Sequence, residues 1–489
     1  MTTSTANDSG RFQAIISHCK EYGFIFPSSE IYEGLSAVYD YGPFGALLKK
    51  NIRDHWWRSM VQFHENIVGL DSAIFMHPAI WKASGHVDHF SDPMIDNKDS
   101  QKRYRVDHLI EGEAERLLAG GEKEAAEALL GRLEELLRED DFAGLRQLIL
   151  DHHIVCPISG TDHWTDVRQF NLMFSTQMGS LADGAGEIYL RPETAQGIFV
   201  NFLNVQKTAR MRIPFGIAQT GKAFRNEIVA RQFIFRMKEF EQMEMQFFVR
   251  PGTELEWYGK WKAERLEWHQ GLGISPDRLR FHDHSKLAHY ANAAVDIEYD
   301  FPFGFKEVEG IHSRTDYDLG RHQQFSGKKI QYFDPELNQN YVPYVVETSV
   351  GLDRTLLMLL CEAYGEEEVP TAEPGKTDTR TVLRFSPAMA PVKLAILPLV
   401  KKDGLPAIGR KILEECRGSF QCIYEEKDSI GKRYRRQDAI GTPFCLTVDH
   451  QSLLDGTVTI RYRDSLKQDR VPADEVRQLV DKALRPDQP

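Results

Sequence analysis

The sequence predicts an α+β chain of more than one unit, and three textures along it carry that expectation. Residues 156–364 are rich in short alternating runs of strand character. Residues 108–151 repeat leucine at helical spacing among glutamates. After Pro391, strand-like and helix-like segments alternate as in a small α/β domain. A chain of 489 residues is also long for one core and divides into two or three domains.

Taken in order, residues 11–107 mix short apolar runs with turn signals and include a helix from about Phe44 to Phe63. Pro43 stands just before it, where a missing N–H costs least. The block 108–151 carries Leu117, Leu118, Leu129, Leu130, Leu133, Leu136 and Leu137, is broken at Gly120–Gly121, and reads as an amphipathic helical insertion. Two strands follow, over Ile213–Gln219 and Glu241–Val249. The second sets Gln242, Glu244 and Gln246 on one face and Glu241, Met243, Met245 and Phe247 on the other. That pattern fits the floor of a polar pocket, and it equally fits a half-exposed strand. Residues 365–380 are charged, carry Pro and Gly, and read as a linker. Beyond Pro391 we expect a strand over Lys393–Val400, a helix over Pro406–Cys416, and strands over Phe444–Val448 and Thr457–Tyr462.

With 42% apolar and 27% charged residues the chain has ordinary globular composition, and no apolar run is long enough to span a bilayer. The N-terminus lacks the basic-then-apolar order of a signal peptide, so the expected location is the cytoplasm, with no membrane partner. The six cysteines are scattered and read as reduced thiols. The net charge of −12 argues against a general nucleic-acid coat. Yet residues 391–489 hold 18 Lys+Arg against 15 Asp+Glu, so a mildly basic tail follows an acidic body.

Two segments carry the chemistry. Phe224-Arg-Asn-Glu leads into a loop bearing Arg231 and Arg236, then into Phe235-Arg-Met-Lys-Glu-Phe and the polar-faced strand. Arginine suits a triphosphate because its planar fork donates in pairs to phosphate oxygens. Glu347-Thr-Ser-Val-Gly-Leu-Asp-Arg reads as a strand and glycine turn opening the apolar helix that begins at Thr355. Arg354 there either meets a ligand or pairs with a structural carboxylate. Neither common Gly-rich phosphate loop is present.

Together these segments resemble the signatures of class II aminoacyl-tRNA synthetases: Tyr41-Gly-Pro-Phe-Gly their first motif, Phe-Arg-Asn-Glu their second, Gly-Leu-Asp-Arg their third. Arg191-Pro-Glu-Thr-Ala-Gln-Gly, Trp81-Lys-Ala-Ser-Gly-His and Phe170-Asn-Leu-Met-Phe narrow the resemblance to the dimeric glycyl-tRNA synthetases, over about residues 11–480. The resemblance implies an antiparallel sheet flanked by helices in a catalytic domain over 11–380, an α/β anticodon-binding domain over 391–489, and a homodimer. It implies glycine, ATP with Mg²⁺, and tRNA(Gly) as substrates and cofactor.

Roles follow from the same resemblance. Arg225 is placed on the α-phosphate, Glu227 on the adenine side, Phe235 near the adenine ring, Arg236 near the triphosphate and Arg354 toward the γ-phosphate. Asn226, Met237, Phe240, Val308 and Gly351 complete the ATP site, and Glu307 holds ATP or its Mg²⁺. Arg225 and Arg354 are the catalytic pair. Glu193, Glu244, Glu347 and Ser349, with Phe240 and Gln242, receive glycine, and Arg103 lies near its carboxylate. Gly431-Lys-Arg-Tyr-Arg-Arg in the tail is read as a tRNA contact with a stacked tyrosine. Many relatives carry Cys-Pro-x-Cys-Gly where this chain has Cys156-Pro-Ile-Ser-Gly; with Ser159 in place of the second cysteine, and His152, His153 and His163 too weak to replace it, no zinc is expected. Two other readings stand beside this one: a class II synthetase for another amino acid, and a non-catalytic paralogue serving as a nucleic-acid-binding accessory subunit.

Overall fold

The structure is a computed structural model and describes residues 4–179, 186–228, 232–284, 287–288, 290–370, 375 and 377–485. Seven strands form its main sheet: β1 (Ile67–Gly69), β2 (Phe215–Phe224), β3 (Glu239–Val249), β4 (Leu279–Asp283), β5 (Ala293–Phe301), β6 (Gly304–Thr315) and β7 (Tyr344–Gly351). Their spatial order is β4-β5-β6-β7-β3-β2-β1. Every neighbouring pair is antiparallel except β1 with β2.

Strand alternation gives this sheet two unlike faces. The back face sends Met243, Met245 and Phe247 of β3 into the largest core, with Val295 and Ile297 of β5 and Val346 and Val350 of β7. Three helices cover it. Pro43–Trp57 buries Leu48, Ile52 and Trp56, Glu254–Gly271 buries Trp261 and Trp268, and Leu352–Ala363 is apolar nearly all round. The front face carries Gln242, Glu244 and Gln246, and the helix Ala195–Thr208 closes one end of it. β3 is central in the sheet, so both of its faces are covered: Glu244 is 1% and Gln246 0% exposed, and the half-exposed reading of that strand is set aside.

The insertion is helical as expected, over Val106–Ala119, Lys123–Arg138 and Phe142–Asp151. The turn between the first two passes through Gly121 at φ +84°, a backbone region open to glycine. Its leucines, Leu118 excepted, pack on one another in a core of their own, seated on a small sheet of Ser91–Asp96, Arg103–Arg105 and Arg168–Asn171.

The linker reading of 365–380 is corrected. Tyr364–Pro370 and Thr377–Leu383 pair as an antiparallel hairpin, while 371–374 and 376 lie outside the described residues. Some of its charges are structural. Arg380, 0% exposed, donates through Nε to Asp438 at 2.8 Å and pairs with Glu367, and Asp438 also receives both Nη atoms of Arg461. Part of that charge belongs to a buried network, while Glu366, Glu368 and Asp378 stay exposed. The C-terminal domain is a five-stranded sheet ordered Cys422–Tyr424, Leu394–Pro398, Phe444–Val448, Thr457–Tyr462, Gln468–Pro472, with Leu405–Cys416, Ile430–Ile440 and Val476–Leu484 as its main helices. The first three strands are parallel and the others antiparallel.

Candidate active site

The front of β3 and β7 sets the registers that build the site. Glu244 lies opposite Ser349, Gln246 opposite Glu347, and Gln242 opposite Gly351. All five side-chain-bearing positions therefore share one face. Gln242 Nε2 donates to Ser349 Oγ at 3.2 Å, and its carbonyl accepts the Thr194 N–H at 3.1 Å. Gln246 Nε2 lies 2.8 Å from both Glu244 Oε1 and Glu347 Oε1, and the Thr194 hydroxyl donates to Glu244 Oε2.

Three carboxylates thus crowd one pocket, and their environments pull them apart. Burial raises the Glu347 carboxyl, but Arg314 at 3.0 Å and His312 Nδ1 at 2.8 Å hold it well below the usual carboxylate range. Burial raises Glu193 too, but His86 at 3.3 Å, Arg314 and Gln196 bring it down to about 2. Among the described residues no cation pairs with Glu244. Burial, then the charges of Glu347 and Glu193, push its carboxyl well above its ordinary value, toward the protonated form. A pocket with two ionised acids and one driven toward its neutral form for want of a cation is suited to a small ammonium.

Beside it opens a cleft. Arg225, Glu227, Phe235, Arg236, Met237, Phe240, Gln242, Glu307, Ser349, Gly351 and Arg354 line it. Arg225 donates to the Pro192 carbonyl at 3.1 Å, and its guanidinium sits 5.2 Å over the Phe240 ring and 5.4 Å over Phe90. Arg354 lies 4.4 Å over the Phe235 ring and pairs with Glu307 at 2.9 Å. Arg354 first, with Arg225 and His312 further off, holds the Glu307 carboxyl below its ordinary value. Arg354 is positioned from behind: the preceding Asp353 is buried and receives Lys49 Nζ at 2.8 Å, the Tyr41 hydroxyl and the Glu241 N–H at 2.6 Å. The Tyr41–Lys49 segment thereby fixes the start of the helix Leu352–Ala363. Gly351 is no left-handed turn; its φ is −76°, and a Cβ there would meet the Arg354 chain at 3.4 Å.

Some expected residues stand elsewhere. Asn226 is held by its backbone, donating N–H to the Leu172 carbonyl at 2.8 Å, and Val308 is buried in the main core. The structure does not bring Arg103 into the cluster: it lies on the small sheet beside the insertion, paired with Asp96 at 2.7 Å. Arg231 lies outside the described residues. In the tail, the basic run splits. Arg433 is 1% exposed and donates to the carbonyls of Pro398 and Glu425, while the Tyr434 hydroxyl shares a hydrogen bond with Thr447 Oγ1 under the Arg461 guanidinium. The stacked-tyrosine contact is therefore corrected, because both side chains hold the domain together. Around Cys156, burial raises the thiol, but hydrogen bonds from Ser100, Ser159 and Tyr104 bring it down to about 6. Ser159 meanwhile bonds Asn97 Oδ1 and Thr161 Oγ1.

His312, Arg314, His86, Thr194 and Gln196 were absent from the sequence-derived site. His86, Thr194 and Gln196 lie within the strings that carried the resemblance, and the one signal for His312 and Arg314 was their i, i+2 spacing, which shares a strand face.

Comparison with known proteins agrees with this geometry. Residues 176–363 match the tRNA synthetase class II core domain (G, H, P, S and T), residues 393–483 an anticodon binding domain, and residues 92–129 and 121–172 the glycyl-tRNA synthetase insertion domain 1. The chain is 54% identical over 462 residues to the glycine–tRNA ligase of Chlorobaculum tepidum, covering 94% of this chain and 96% of that one. It is 50% identical over 468 residues to that of Treponema denticola, covering 95% of each. Among solved structures, Giardia lamblia prolyl-tRNA synthetase in complex with prolyl-adenylate has the same fold (TM-score 0.61, 13% identity, 99% of this chain and 81% of that one). So does the Cryptosporidium parvum prolyl-tRNA synthetase complexed with L-proline and AMP (TM-score 0.57, 12% identity, 96% and 78%).

Proposed function

This chain belongs to the glycine–tRNA ligase family, and from that membership we propose how its cleft divides the work. The ammonium of glycine enters between Glu193, Glu244 and Glu347, with Ser349 as a further acceptor. Glu244 gives up its proton as the cation arrives, since the cation supplies what its site lacks. Any side chain larger than hydrogen would be pressed against charged, hydrogen-bonded walls, which rejects alanine by overlap and desolvation.

ATP lies in the adjoining cleft with Arg225 on its α-phosphate, Arg236 near the triphosphate and Arg354 toward the γ-phosphate. Glu227 and Phe235 face the adenine side. Glu307 is suited to Mg²⁺, because its carboxylate is held ionised, lines the cleft and is 47% exposed; one carboxylate plus substrate phosphates is the usual magnesium set. Bound Mg²⁺ would neutralise charge on the phosphate oxygens. The glycine carboxylate, already ionised, attacks the α-phosphorus in line and pyrophosphate leaves. Fixed arginines stabilise the charge that develops, so no general base is required. The 3′-terminal ribose hydroxyl of tRNA(Gly) then takes the glycyl group and AMP leaves. The reading is of a cytoplasmic homodimer. Ile31 and Tyr32, 88% and 80% exposed, and Leu35 form an apolar loop that precedes the helix Pro43–Trp57 in the chain, a surface suited to a second copy.

One observation carries the proposal: surplus carboxylate directly beside an arginine-lined cleft. It is tested by ATP–pyrophosphate exchange with each of the twenty amino acids in turn, without tRNA. Exchange with glycine alone is expected. Exchange with another amino acid would overturn the pocket assignment, and none at all from folded protein with Mg²⁺ would point to an accessory subunit.

A further inference from the structure

Three side chains on the front face, outside the cleft just described, converge in a way no step above uses. His284 follows β4, Asp296 lies on β5 and His312 on β6, and the pleat turns all three to one side. One ligand atom from each lies within 4.8 Å of the others. His284 Nε2 is already 2.9 Å from Asp296 Oδ2. None is sealed from solvent: their side chains are 31%, 16% and 18% exposed.

Two further features point the lone pairs inward. His312 Nδ1 is engaged by Glu347 at 2.8 Å, which leaves Nε2 as the outward ring nitrogen. A carboxylate behind a histidine is the arrangement that fixes the tautomer and raises the basicity of a metal-bound imidazole. Beneath the group is Gly310, where a Cβ would meet His312 Cε1 at 2.9 Å, with His312 Nε2 at 3.5 Å and Asp296 Oδ1 at 3.6 Å. The missing side chain keeps open the space on which both ligands close.

We propose that His284, Asp296 and His312 form a site for a divalent transition metal of the zinc class, and that the ion at this site weakens the hold on glycine. Two imidazoles and one carboxylate suit zinc, cobalt or nickel and disfavour magnesium, which takes oxygen ligands. Three protein ligands leave a fourth position for water. Ligands about 2.1 Å from an ion stand roughly 3.4 Å apart in a tetrahedron, so side-chain rotation of about 1 Å closes the set. The coupling to glycine rests on the reading that Glu347 receives the ammonium. A dication on Nε2 polarises the imidazole, strengthens its Nδ1–H bond to Glu347 and leaves that carboxylate a poorer acceptor.

The test loads purified full-length protein with Co²⁺ or Zn²⁺ in the presence of excess Mg²⁺, removes free metal, and reads bound metal per chain and the cobalt visible spectrum. One equivalent with a tetrahedral cobalt band is expected, lost in Asp296→Asn and His284→Ala, and bound about 10–100-fold more weakly in Glu347→Gln. Loading should raise the KM for glycine about 5-fold or more in wild type and leave it unchanged in His284→Ala. No retained metal, or metal retained equally by His284→Ala and Asp296→Asn, overturns the site. Retained metal with an unchanged glycine KM overturns the coupling alone. Glycine-dependent exchange by the metal-free protein, measured alongside, separates either failure from a failure of the pocket assignment.

Discussion

Glu309 and Glu347 lie on opposite faces of one sheet, and each is gripped by an arginine and a histidine. On the back, Glu309 takes Arg265 Nε at 2.6 Å and His269 Nε2 at 2.8 Å, with all three side chains at 0–1% exposure. On the front, Glu347 takes Arg314 at 3.0 Å and His312 at 2.8 Å. The back group is balanced, one carboxylate against one arginine, and closed. The front group is not: Glu193 and Asp318 crowd the same arginine, and Glu244 crowds Glu347 and Glu193. The chemistry of the residues is the same on both faces, and charge balance distinguishes them. A saturated buried ion group holds the fold, whereas an unsaturated one is built to receive a cation.

Substitutions can break or sharpen that contrast. The largest effect is expected from Arg265→Met, which strands the Glu309 carboxylate in the core and should cost about 3–5 kcal/mol of stability. Urea unfolding measures it, and the glycine KM of the folded fraction should not move. A change in KM with little loss of stability would erase the distinction between the faces. Next, Arg354→Ala should lower glycine-dependent exchange by about 10²–10³-fold while leaving the unfolding midpoint within a few degrees of wild type. Glu244→Gln is sharper still, because Gln copies the neutral form toward which the empty pocket drives the carboxyl. It should leave stability at pH 7 intact yet weaken glycine by about 1.5–3 kcal/mol, read as a rise in KM. Unchanged KM would mean that Glu244 stays protonated with glycine bound.

The smallest effect is in pH. Burial, the largest influence on His269, depresses its pKa below the ordinary 6.5, so the unfolded chain takes up a proton that the native protein refuses. Stability present above pH 6.5 is therefore lost as pH falls below it. The Glu309 carboxyl is held below its ordinary 4.5, burial being outweighed by Arg265 and His269, so its own contribution is present above pH 4.5 and lost as pH falls from there through the lowered value. Both act in the acid direction. Between pH 6.5 and 4.5, His269→Gln should flatten the decline by up to about 1.4 kcal/mol per pH unit, seen by comparing its melting curves with those of wild type.

The front face was partly legible in the sequence. The alternation of Gln242, Glu244 and Gln246 announced a polar strand face, and the arginine-bearing and Glu347–Arg354 segments announced their partners. Which strand lies beside which was not announced. Arg314 meets Glu347 across 33 positions and His86 meets Glu193 across more than 100, so only the folded register joins them. The back triad was invisible for another reason. Arg265 and His269 sit on a helix whose charged residues run all round it, and nothing marks which of them face inward. The hairpin of 364–383 and the basic run at 431–436 misled in the same way: charges that look solvated in sequence are neutralised across the fold by Asp438, Glu367 and main-chain carbonyls.

Asp438, clasped by Arg380 from the hairpin and Arg461 from the tail sheet, has a mechanical meaning as well as an electrostatic one. Arg463 reinforces it by donating to the Phe385 carbonyl at 2.7 Å, and His18 of the first helix reaches the Ala439 carbonyl at 2.7 Å. The two ends of the molecule are thereby held like the jaws of a caliper, at a set opening rather than on a loose string.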